Sequence, residues 1–321
     1  MSFLTKRKAI VLAEICINKN QLKMKKVWFI TGSSKGLGKN LVEAVLLKGD
    51  YAVATARNLK DLEELGKQYP DQLFPVKLDV EIREEIHSAV EAAISHFGRI
   101  DVLVNNAGFG ITGAAEAFTD EQVRRQLEVN LFAPIQVTRA VLPYMRKQCS
   151  GQILQVSSVG GRVGNAGLSI YQAAKFGLTG FSESLSKEVL PLGIKVTSIE
   201  PGGFRTDWAG ASMSFAEEIE GYENTVGSIK EFLLSGKFLP MGDPAKAAKV
   251  MVDLTDHPNP PLHLILGSEA AAILKSTDQL RKEEFEKWLD VSVSTDHDEA
   301  VNVLESEEGK VFLAKKGIKV D

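Results

Sequence analysis

Cysteine is scarce in this sequence, since only Cys16 and Cys149 occur among 321 residues. Two cysteines are too few for a disulfide framework, which favours a reducing compartment and predicts a cytoplasmic protein. Histidine is scarce as well. The five histidines lack the short ligand spacings of a zinc site, so no metal site is predicted; they are His87, His96, His257, His263 and His297.

Strong charge and long hydrophobic runs are also missing. The formal net charge is -4, which gives no reason to expect a nucleic-acid partner. The apolar run over residues 9–17 is interrupted by Glu14 and is too short to span a bilayer, so no membrane partner is expected. No Ser-His-Asp arrangement is indicated by order or motif, which disfavours hydrolysis.

The composition is that of a globular chain able to bury a substantial core, with 44% apolar and 25% charged residues. From Val27 onward, short apolar runs alternate with helical patterns, the order that predicts a parallel sheet with helices on both faces. About seven strands are predicted, at residues 27–30, 52–56, 73–78, 102–105, 152–156, 195–199 and 262–266. Helices are predicted at residues 37–48, 59–68, 83–97, 120–145, 170–190 and 244–254, with Pro191 ending the fifth.

Tyr171 and Lys175 lie four residues apart in one predicted helix, and therefore on one face of it. A nearby ammonium stabilises phenolate, so we expect Lys175 to lower the pKa of Tyr171 from its usual value of about 10. Tyr171 would then serve as a proton donor or acceptor near neutrality. Alone, a half-buried tyrosine beside an ordinary lysine explains the pair equally well, so its meaning depends on the other motifs.

A glycine-rich loop follows the first predicted strand. Residues 31–38 read Thr-Gly-Ser-Ser-Lys-Gly-Leu-Gly and lead directly into a helix. Glycines at this point allow a tight turn and a close approach of the backbone to a pyrophosphate, whose charge the helix N-terminus favours. Although the spacing departs from Gly-x-Gly-x-x-Gly, the order of strand, loop and helix predicts a dinucleotide site.

The end of the second strand bears on which dinucleotide is bound. It reads Ala-Thr-Ala-Arg and ends at Arg57, with no Asp or Glu that would accept the ribose hydroxyls and repel a 2′-phosphate. Lys35 in the glycine loop adds a second cation. We therefore expect NADP(H) to be preferred over NAD(H), and the less favoured alternative is that Arg57 is a solvated loop cation.

Further motifs follow in a recognisable order. Residues 105–108 read Asn-Asn-Ala-Gly at the end of the fourth strand, and residues 201–206 read Pro-Gly-Gly-Phe-Arg-Thr. Together with the glycine loop and the Tyr-x-x-x-Lys pair, they strongly resemble the short-chain dehydrogenase/reductase family, in the subclass with a Thr-Gly-x-x-x-Gly-x-Gly loop. The resemblance covers about residues 27–266 and implies a Rossmann-type, doubly wound α/β fold.

The resemblance also implies cofactor contacts and a reaction, the hydride-transfer interconversion of a carbonyl and an alcohol. Ser158 would polarise the carbonyl and Tyr171 would act as general acid or base. Lys175 would support Tyr171 and bind the nicotinamide ribose, while Asn130 would hold a water for proton return. The implied cofactor-binding residues are Gly32, Ser34, Lys35, Gly36, Leu37, Gly38, Arg57, Asp79, Val80, Asn106, Ala107, Gly108, Tyr171, Lys175, Pro201, Gly202 and Thr206.

Ordinary structural roles are the alternative for the four proposed catalytic residues. Ser158 could cap a helix, Asn130 could bond the backbone and Tyr171 could simply pack. Each role is reasonable alone, but together they leave unexplained why all four residue types match the family's positions.

The substrate would be a small molecule held by Ser158 and Tyr171 together with Phe109, Leu168 and Trp208. Residues 207–242, in which apolar and acidic residues alternate, suit a lid with an apolar inner surface, and a moderately apolar ketone, aldehyde or secondary alcohol is expected. The alternative is that these residues only pack the lid against its own domain. Family members are usually dimers or tetramers, which implies a homodimer or homotetramer.

The expected domain organisation has four parts. Residues 1–26 are interpreted as an N-terminal extension that is not native, with Met24 as the natural start. Residues 27–267 form the catalytic domain, residues 268–290 a C-terminal helix and residues 291–321 a tail. Two functions are compared: an NADP(H)-dependent oxidoreductase, and a catalytically idle dinucleotide-binding redox sensor or scaffold, which needs only the glycine loop and Arg57. A lyase or epimerase is a weaker third possibility.

Overall fold

The computed structural model describes residues 25–206, 213–235, 239–297 and 306–315. The chain divides into two compact units, Met1–Leu274 and Lys275–Asp321. The first unit contains both β-sheets and all the residues considered for the site, except that Trp208 and the rest of residues 207–212 lie outside the described part.

The main sheet has seven strands in the order β3-β2-β1-β4-β6-β7-β9, and every pairing is parallel. Its strands are β1 (Val27–Ile30), β2 (Tyr51–Ala56), β3 (Leu73–Lys77), β4 (Val102–Asn105), β6 (Gly151–Val156), β7 (Ile194–Pro201) and β9 (His263–Leu266). A second parallel sheet pairs β5 (Gly110–Thr112) with β8 (Met213–Phe215). The seven-stranded parallel sheet confirms the predicted fold class.

Helices connect the strands. In the first unit they are α1 (Gly36–Leu47), α2 (Glu63–Gln68), α3 (Arg83–Phe97), α4 (Asp120–Leu127), α5 (Ala133–Gln148), α6 (Ser169–Val189), α7 (Ser228–Leu234) and α8 (Pro244–Leu254). The remaining helices are α9 (Ser268–Lys287), α10 (Leu289–Val293) and α11 (Glu307–Lys315). The last of them lies in the stretch expected to be a tail.

Strands buried on both faces explain why the apolar runs are continuous rather than alternating. On β1, Val27 and Phe29 face a core formed with α3, α5 and α6, whereas Trp28 and Ile30 face a core formed with α1 and α8. Side chains that alternate in direction along one strand thus fill both layers of the doubly wound fold.

Three local features differ from the sequence-based expectation. The predicted helix 120–145 is divided by a π-helical turn, Glu128–Phe132, between α4 and α5. The stretch before α2 is a 3-10 turn, Leu59–Leu62. The short strands β5 and β8 were not predicted at all. By contrast, α6 ends at Val189 and Pro191 lies in the 3-10 turn that follows, as expected.

The carboxyl ends of β1, β4, β6 and β7 lie along one edge of the sheet because all four strands run in the same direction. Strand order reverses between β1 and β4, and in open α/β sheets this is where ligands bind. Within its described residues, the chain has no helix with both the length and the hydropathy needed to cross a bilayer.

Candidate active site

The glycine loop packs directly on the segment that follows β4. A Cβ atom on Gly32, whose φ is +66°, would lie 2.8 Å from Ala107 Cα. On Gly38, a Cβ atom would lie 2.2 Å from the carbonyl oxygen of Gly32 and 2.4 Å from Asn106 Nδ2. Real Cβ atoms do not approach other atoms so closely, so both positions require glycine.

Thr31 and Asn106 tie this loop to β4. Thr31 Oγ1 accepts hydrogen bonds from the backbone N–H groups of Asn106 (2.9 Å) and Ala107 (3.0 Å). Asn106 Nδ2 donates in return to the carbonyl oxygens of Thr31 (2.9 Å) and Gly32 (3.0 Å). The prediction omitted Thr31 as a site residue, although its place between a strand and a glycine could have identified it.

The N-terminus of α1 is open to a ligand. No side chain caps this helix, and its first backbone bond runs from Lys39 N to Lys35 O, so the preceding N–H groups remain for an anion. Gly36 has a φ of +52°, and a Cβ atom there would lie 3.3 Å from Thr206 Cβ. The glycine loop and the Thr206 segment therefore form a narrow cradle that a side chain would fill, and these residues fit a dinucleotide pyrophosphate.

Two cations lie at the carboxyl edge without partners. Lys35 and Arg57 are exposed, and neither side chain forms a hydrogen bond or ion pair with any residue that the structure describes. Asp79, after β3, is half-buried, and its Oδ1 accepts from Glu81 N at 3.1 Å. Val80, Ser34 and Leu37 are half-buried as well.

The Ser158 hydroxyl lies near the Tyr171 phenol, close enough for hydrogen bonding to lower the pKa of the phenol. Ser158 follows β6, and its Oγ also accepts from Gly160 N at 2.9 Å, which fixes the turn Val159–Gly161. Tyr171 lies in the first turn of α6 and is only 6% exposed. The two hydroxyl groups thus meet at the carboxyl edge of the sheet.

Lys175 is one helical turn beyond Tyr171 and is also buried. Its Nζ donates to the carbonyl oxygen of Val156 at 2.9 Å and lies 5.8 Å from the centre of the Tyr171 ring. Burial lowers the pKa of Lys175 to about 8. Burial also raises the pKa of Tyr171 to about 12, against the opposing effect of the Ser158 hydrogen bond. The expectation of a lowered tyrosine pKa is therefore wrong for the protein as described, because the desolvation of phenolate is the largest effect on this group.

Asn130 lies in the π-helical turn and is completely buried. Its Nδ2 donates to the carbonyl oxygens of Phe109 (2.9 Å) and Gln126 (3.1 Å), while its Oδ1 has no hydrogen-bond partner in the described part of the chain. A Cβ atom on Gly108 would lie 2.8 Å from this Oδ1 and 3.8 Å from Lys175 Nζ. A buried acceptor and a buried ammonium therefore flank Gly108, and the free acceptor suits a water or ligand donor.

Comparison with known proteins identifies the family. The family model for short chain dehydrogenase matches residues 26–216. This chain belongs to the short-chain dehydrogenase/reductase family. The resemblance predicted from the motifs is thereby confirmed, and the family is one of oxidoreductases that act on small molecules.

Individual members of the family extend the likeness beyond the matched region. The oxidoreductase BOA17 of Botryotinia fuckeliana is 42% identical over 273 residues, which cover 85% of this chain and 100% of that protein. A short-chain dehydrogenase from Streptomyces avermitilis has 39% identity and a TM-score of 0.80, covering 86% of this chain and 100% of its own. A Burkholderia cenocepacia short-chain dehydrogenase solved with NADP shares the fold at 23% identity, with a TM-score of 0.66 over 83% of this chain and 98% of its own.

Residues missed by sequence reasoning fix the loop between β6 and α6. Ser157 Oγ donates to Lys175 O at 3.2 Å and lies 3.0 Å from Thr179 Oγ1. Gln172 Oε1 accepts from Asn165 N at 2.7 Å, and its Nε2 donates to Val163 O at 2.9 Å. Gln172 directly follows Tyr171, but a single polar residue inside a helix shows no distinguishing pattern in sequence.

The segment after β7 is held by the last strand and its helix. Gly202 N donates to Leu266 O at 2.9 Å, and a Cβ atom on Gly202 would lie 2.9 Å from Ala270 Cβ. Pro201 ends β7 and is half-buried. This places Pro201, Gly202 and Thr206 at the same edge as the glycine loop.

The proposed substrate residues are brought together only in part. Phe109 is half-buried, its ring lies 5.2 Å from the Arg125 guanidinium, and its carbonyl oxygen binds Asn130. Leu168 is half-buried just before α6. Trp208 lies outside the described residues. Among the described parts of the chain, no group of three or more His, Cys, Asp or Glu residues could hold a metal ion.

Proposed function

We propose that this oxidoreductase depends on NADP(H) and interconverts a ketone or aldehyde with an alcohol by hydride transfer. The observation that carries the proposal is the proximity of the Ser158 and Tyr171 hydroxyl groups, with the buried ammonium of Lys175 one helical turn from Tyr171. A hydroxyl pair beside a cation can bind a carbonyl oxygen and supply its proton.

Ser158 is suited to orient the substrate. Its Oγ accepts from Gly160 N, so the turn holds the oxygen in place while the hydroxyl proton can rotate toward an acceptor. A carbonyl oxygen placed between Ser158 and Tyr171 would accept a hydrogen bond from each. These two bonds would polarise the carbonyl before reduction.

Tyr171 is suited to donate the proton. Because burial raises its pKa to about 12, the phenol keeps its proton at neutral pH and is ready for the reduction direction. Lys175 uses one of its N–H groups on Val156 O, which leaves two for a ribose hydroxyl and for the proton path. Asn130 Oδ1 would hold the water that links Lys175 to solvent.

The cofactor would be held by the glycine loop, the residues after β4 and the Thr206 segment. When bound, the nicotinamide supplies or accepts the hydride. Arg57 and Lys35 favour NADP(H) over NAD(H), since both are exposed cations at the carboxyl edge, have no side-chain partner among the described residues and can bind a 2′-phosphate. The NADP complex of the Burkholderia cenocepacia protein supports the same choice.

A spectrophotometric screen tests the function. The full chain is mixed with NADPH or NADH and a panel of ketones and aldehydes, and with NADP⁺ and a panel of alcohols, while the absorbance of the reduced nicotinamide is followed. We expect turnover of apolar members of the panel, with NADP(H) the better cofactor. Cofactor binding without turnover across a broad panel would instead support the idle redox sensor.

A further inference from the structure

A cavity of about 400 Å³ lies between the end of β5 and the segment from Phe215 to Leu234. Thr112, Gly113 and Ala114 form one wall. The opposite wall contains the apolar side chains of Phe215, Ile219, Val226 and Leu234. A space of this size holds a small organic group, and its apolar walls favour a hydrocarbon body.

Acidic residues dominate the polar part of the lining. Five glutamates line the cavity, namely Glu217, Glu218, Glu220, Glu223 and Glu231, against the single cation Lys230. Lys230 is already paired with Glu218. Glu223 accepts hydrogen bonds from Gly221 N, which lowers the pKa of its carboxyl group.

The side chains of the other three glutamates are unpaired among the described residues. The carboxylates of Glu217, Glu220 and Glu231 form no hydrogen bond or ion pair there. These carboxylates would repel an anionic ligand and attract a cationic one.

A separate observation points to a ligand in the same cavity. Thr112, which lines the wall, is 1% exposed, and its Oγ1 has no hydrogen-bond partner among the residues that the structure describes. Its backbone oxygen accepts a hydrogen bond from Ala216 N at 2.9 Å, so the side-chain hydroxyl is the group that lacks a partner there. Buried hydroxyl groups are nearly always hydrogen-bonded, and a ligand donor or acceptor would satisfy this one.

The strand β5 links the wall of the cavity to the surroundings of Asn130. Phe109, whose carbonyl oxygen binds Asn130, directly precedes β5, and Thr112 ends this strand. Three extended residues span on the order of 10 Å. A Cβ atom on Gly167 would lie 3.3 Å from Thr112 Cγ2 and 3.4 Å from Val226 Cγ1, so the cavity wall also adjoins the turn that leads to Tyr171.

We propose that this cavity selects substrates that carry a protonated amine on an apolar body. The amine would lie among Glu217, Glu220 and Glu231, with the apolar body against Phe215 and Val226. The inference rests on the proposed function for the reaction itself, but the charge selectivity of the cavity can be measured without turnover.

A binding experiment on the full chain tests the charge selectivity. Hexylammonium, 1-hexanol and hexanoate share a six-carbon chain and differ in the charge of the head group. In ligand-observed NMR titrations we expect hexylammonium to bind about tenfold more tightly than 1-hexanol, and hexanoate to bind weakest, since each of several exposed carboxylates contributes modestly. Equal affinities, or a preference for hexanoate, would overturn the proposal.

Two controls test whether the preference for hexylammonium arises in this cavity. The triple variant Glu217→Gln, Glu220→Gln, Glu231→Gln should lose the preference for hexylammonium, whereas Glu91→Gln, an exposed glutamate without a partner on α3, should keep it. In the unmodified protein the preference should shrink as salt is added, because exposed charges are screened. If the preference for hexylammonium persists in the triple variant and at high salt, hexylammonium binds elsewhere and the proposed role of the cavity is refuted.

Turnover separates this inference from the proposed function. An alkyl ketone with a terminal trimethylammonium group is compared with its uncharged tert-butyl isostere. A higher kcat/KM for the cationic ketone, abolished in the triple variant, supports both proposals. Charge-selective binding with no turnover of either ketone would refute the reaction and keep the cavity assignment, whereas equal turnover of the two would refute the cavity assignment alone.

Discussion

Burial moves the pKa values of Tyr171 and Lys175, one helical turn apart on α6, away from their ordinary values in opposite directions. The pKa of Tyr171 rises to about 12 and that of Lys175 falls to about 8. Both changes favour the uncharged form, because a low dielectric penalises phenolate and ammonium alike. At neutral pH the pair therefore holds its charge on the lysine alone.

The lowered pKa of Lys175 predicts a pH-dependent stability. Unfolding returns this group to its ordinary pKa of 10.5, so between pH 8 and pH 10.5 the unfolded chain binds more protons than the folded one. The free energy of unfolding should therefore rise with pH, by about 2 kcal/mol between roughly pH 7.5 and pH 9.5. Urea unfolding at the two pH values measures the change.

Substitution isolates the contribution of this lysine. Lys175→Met should remove the rise, while Lys187→Met, an exposed lysine on the same helix, should retain it. An unchanged pH dependence in Lys175→Met would show that another group titrates. Above about pH 10 the raised pKa of Tyr171 acts in the opposite sense, because the unfolded phenol loses its proton first and stability falls.

Tyr171→Phe should remove turnover and leave the cofactor in place. The substitution deletes the only phenol proton beside Ser158 while keeping the ring that packs at the start of α6. Loss of a general acid lowers kcat by about 100-fold to 10,000-fold, and the dissociation constant of NADPH should change little. Tyr144→Phe, a half-buried tyrosine on α5, is the matched control and should keep full activity. Normal turnover in Tyr171→Phe would contradict the assigned role.

Gly38→Ala should destabilise the protein and abolish dinucleotide binding. Its Cβ atom would overlap Gly32 O and Asn106 Nδ2, and forcing a methyl group into a packed site costs about 1–3 kcal/mol. The control is Gly180→Ala on α6, where an added Cβ meets nothing within 4 Å and replacing a helical glycine should stabilise by about 0.5–1 kcal/mol. Thermal melts with and without NADPH compare the two variants. A Gly38→Ala protein as stable as Gly180→Ala would show that the loop is less tightly packed than described.

Arg57→Glu should reverse the cofactor preference. The carboxylate would repel the 2′-phosphate of NADP(H), so its dissociation constant should increase by about tenfold or more, while that of NAD(H) should stay the same or decrease. Arg139→Glu makes the same charge reversal at an exposed site on α5 and should affect neither cofactor. Fluorescence titration with both reduced cofactors gives the four constants. If NADPH binds the Arg57→Glu variant unchanged, Arg57 is only a solvated loop cation.

The sequence predicted the main sheet well because its signals are local. β1 and β4 are buried along their whole length, so each forms an unbroken apolar run between polar loops. The glycines that contact Asn106 and Ala107 form a recognisable motif in the sequence. The fold requires glycine at these positions, because a Cβ atom does not fit at those distances.

Features that depend on contacts distant in the chain were not predictable. The strands β5 and β8 have three residues each and pair across about 100 positions, so neither shows a period of its own. The π-helical turn around Asn130 continues the apolar pattern of the helices on both sides, which hides it. The direction of the Tyr171 pKa depended on how completely the fold buries the phenol, and the Tyr-Lys spacing alone does not determine burial.

The pairing of β5 with β8 has a consequence for protein engineering. It joins Gly110 to Met213, Ile111 to Ser214 and Thr112 to Phe215. These backbone bonds hold residues 213–215 against β5 and therefore fix the start of the segment that follows. They do not involve any side chain of residues 217–235. Residues 217–235 should therefore be exchangeable as a cassette between related enzymes, with the graft junction placed just after β8. Such chimaeras would test whether this segment determines substrate preference, because Ser158, Tyr171 and Lys175 stay unchanged in them.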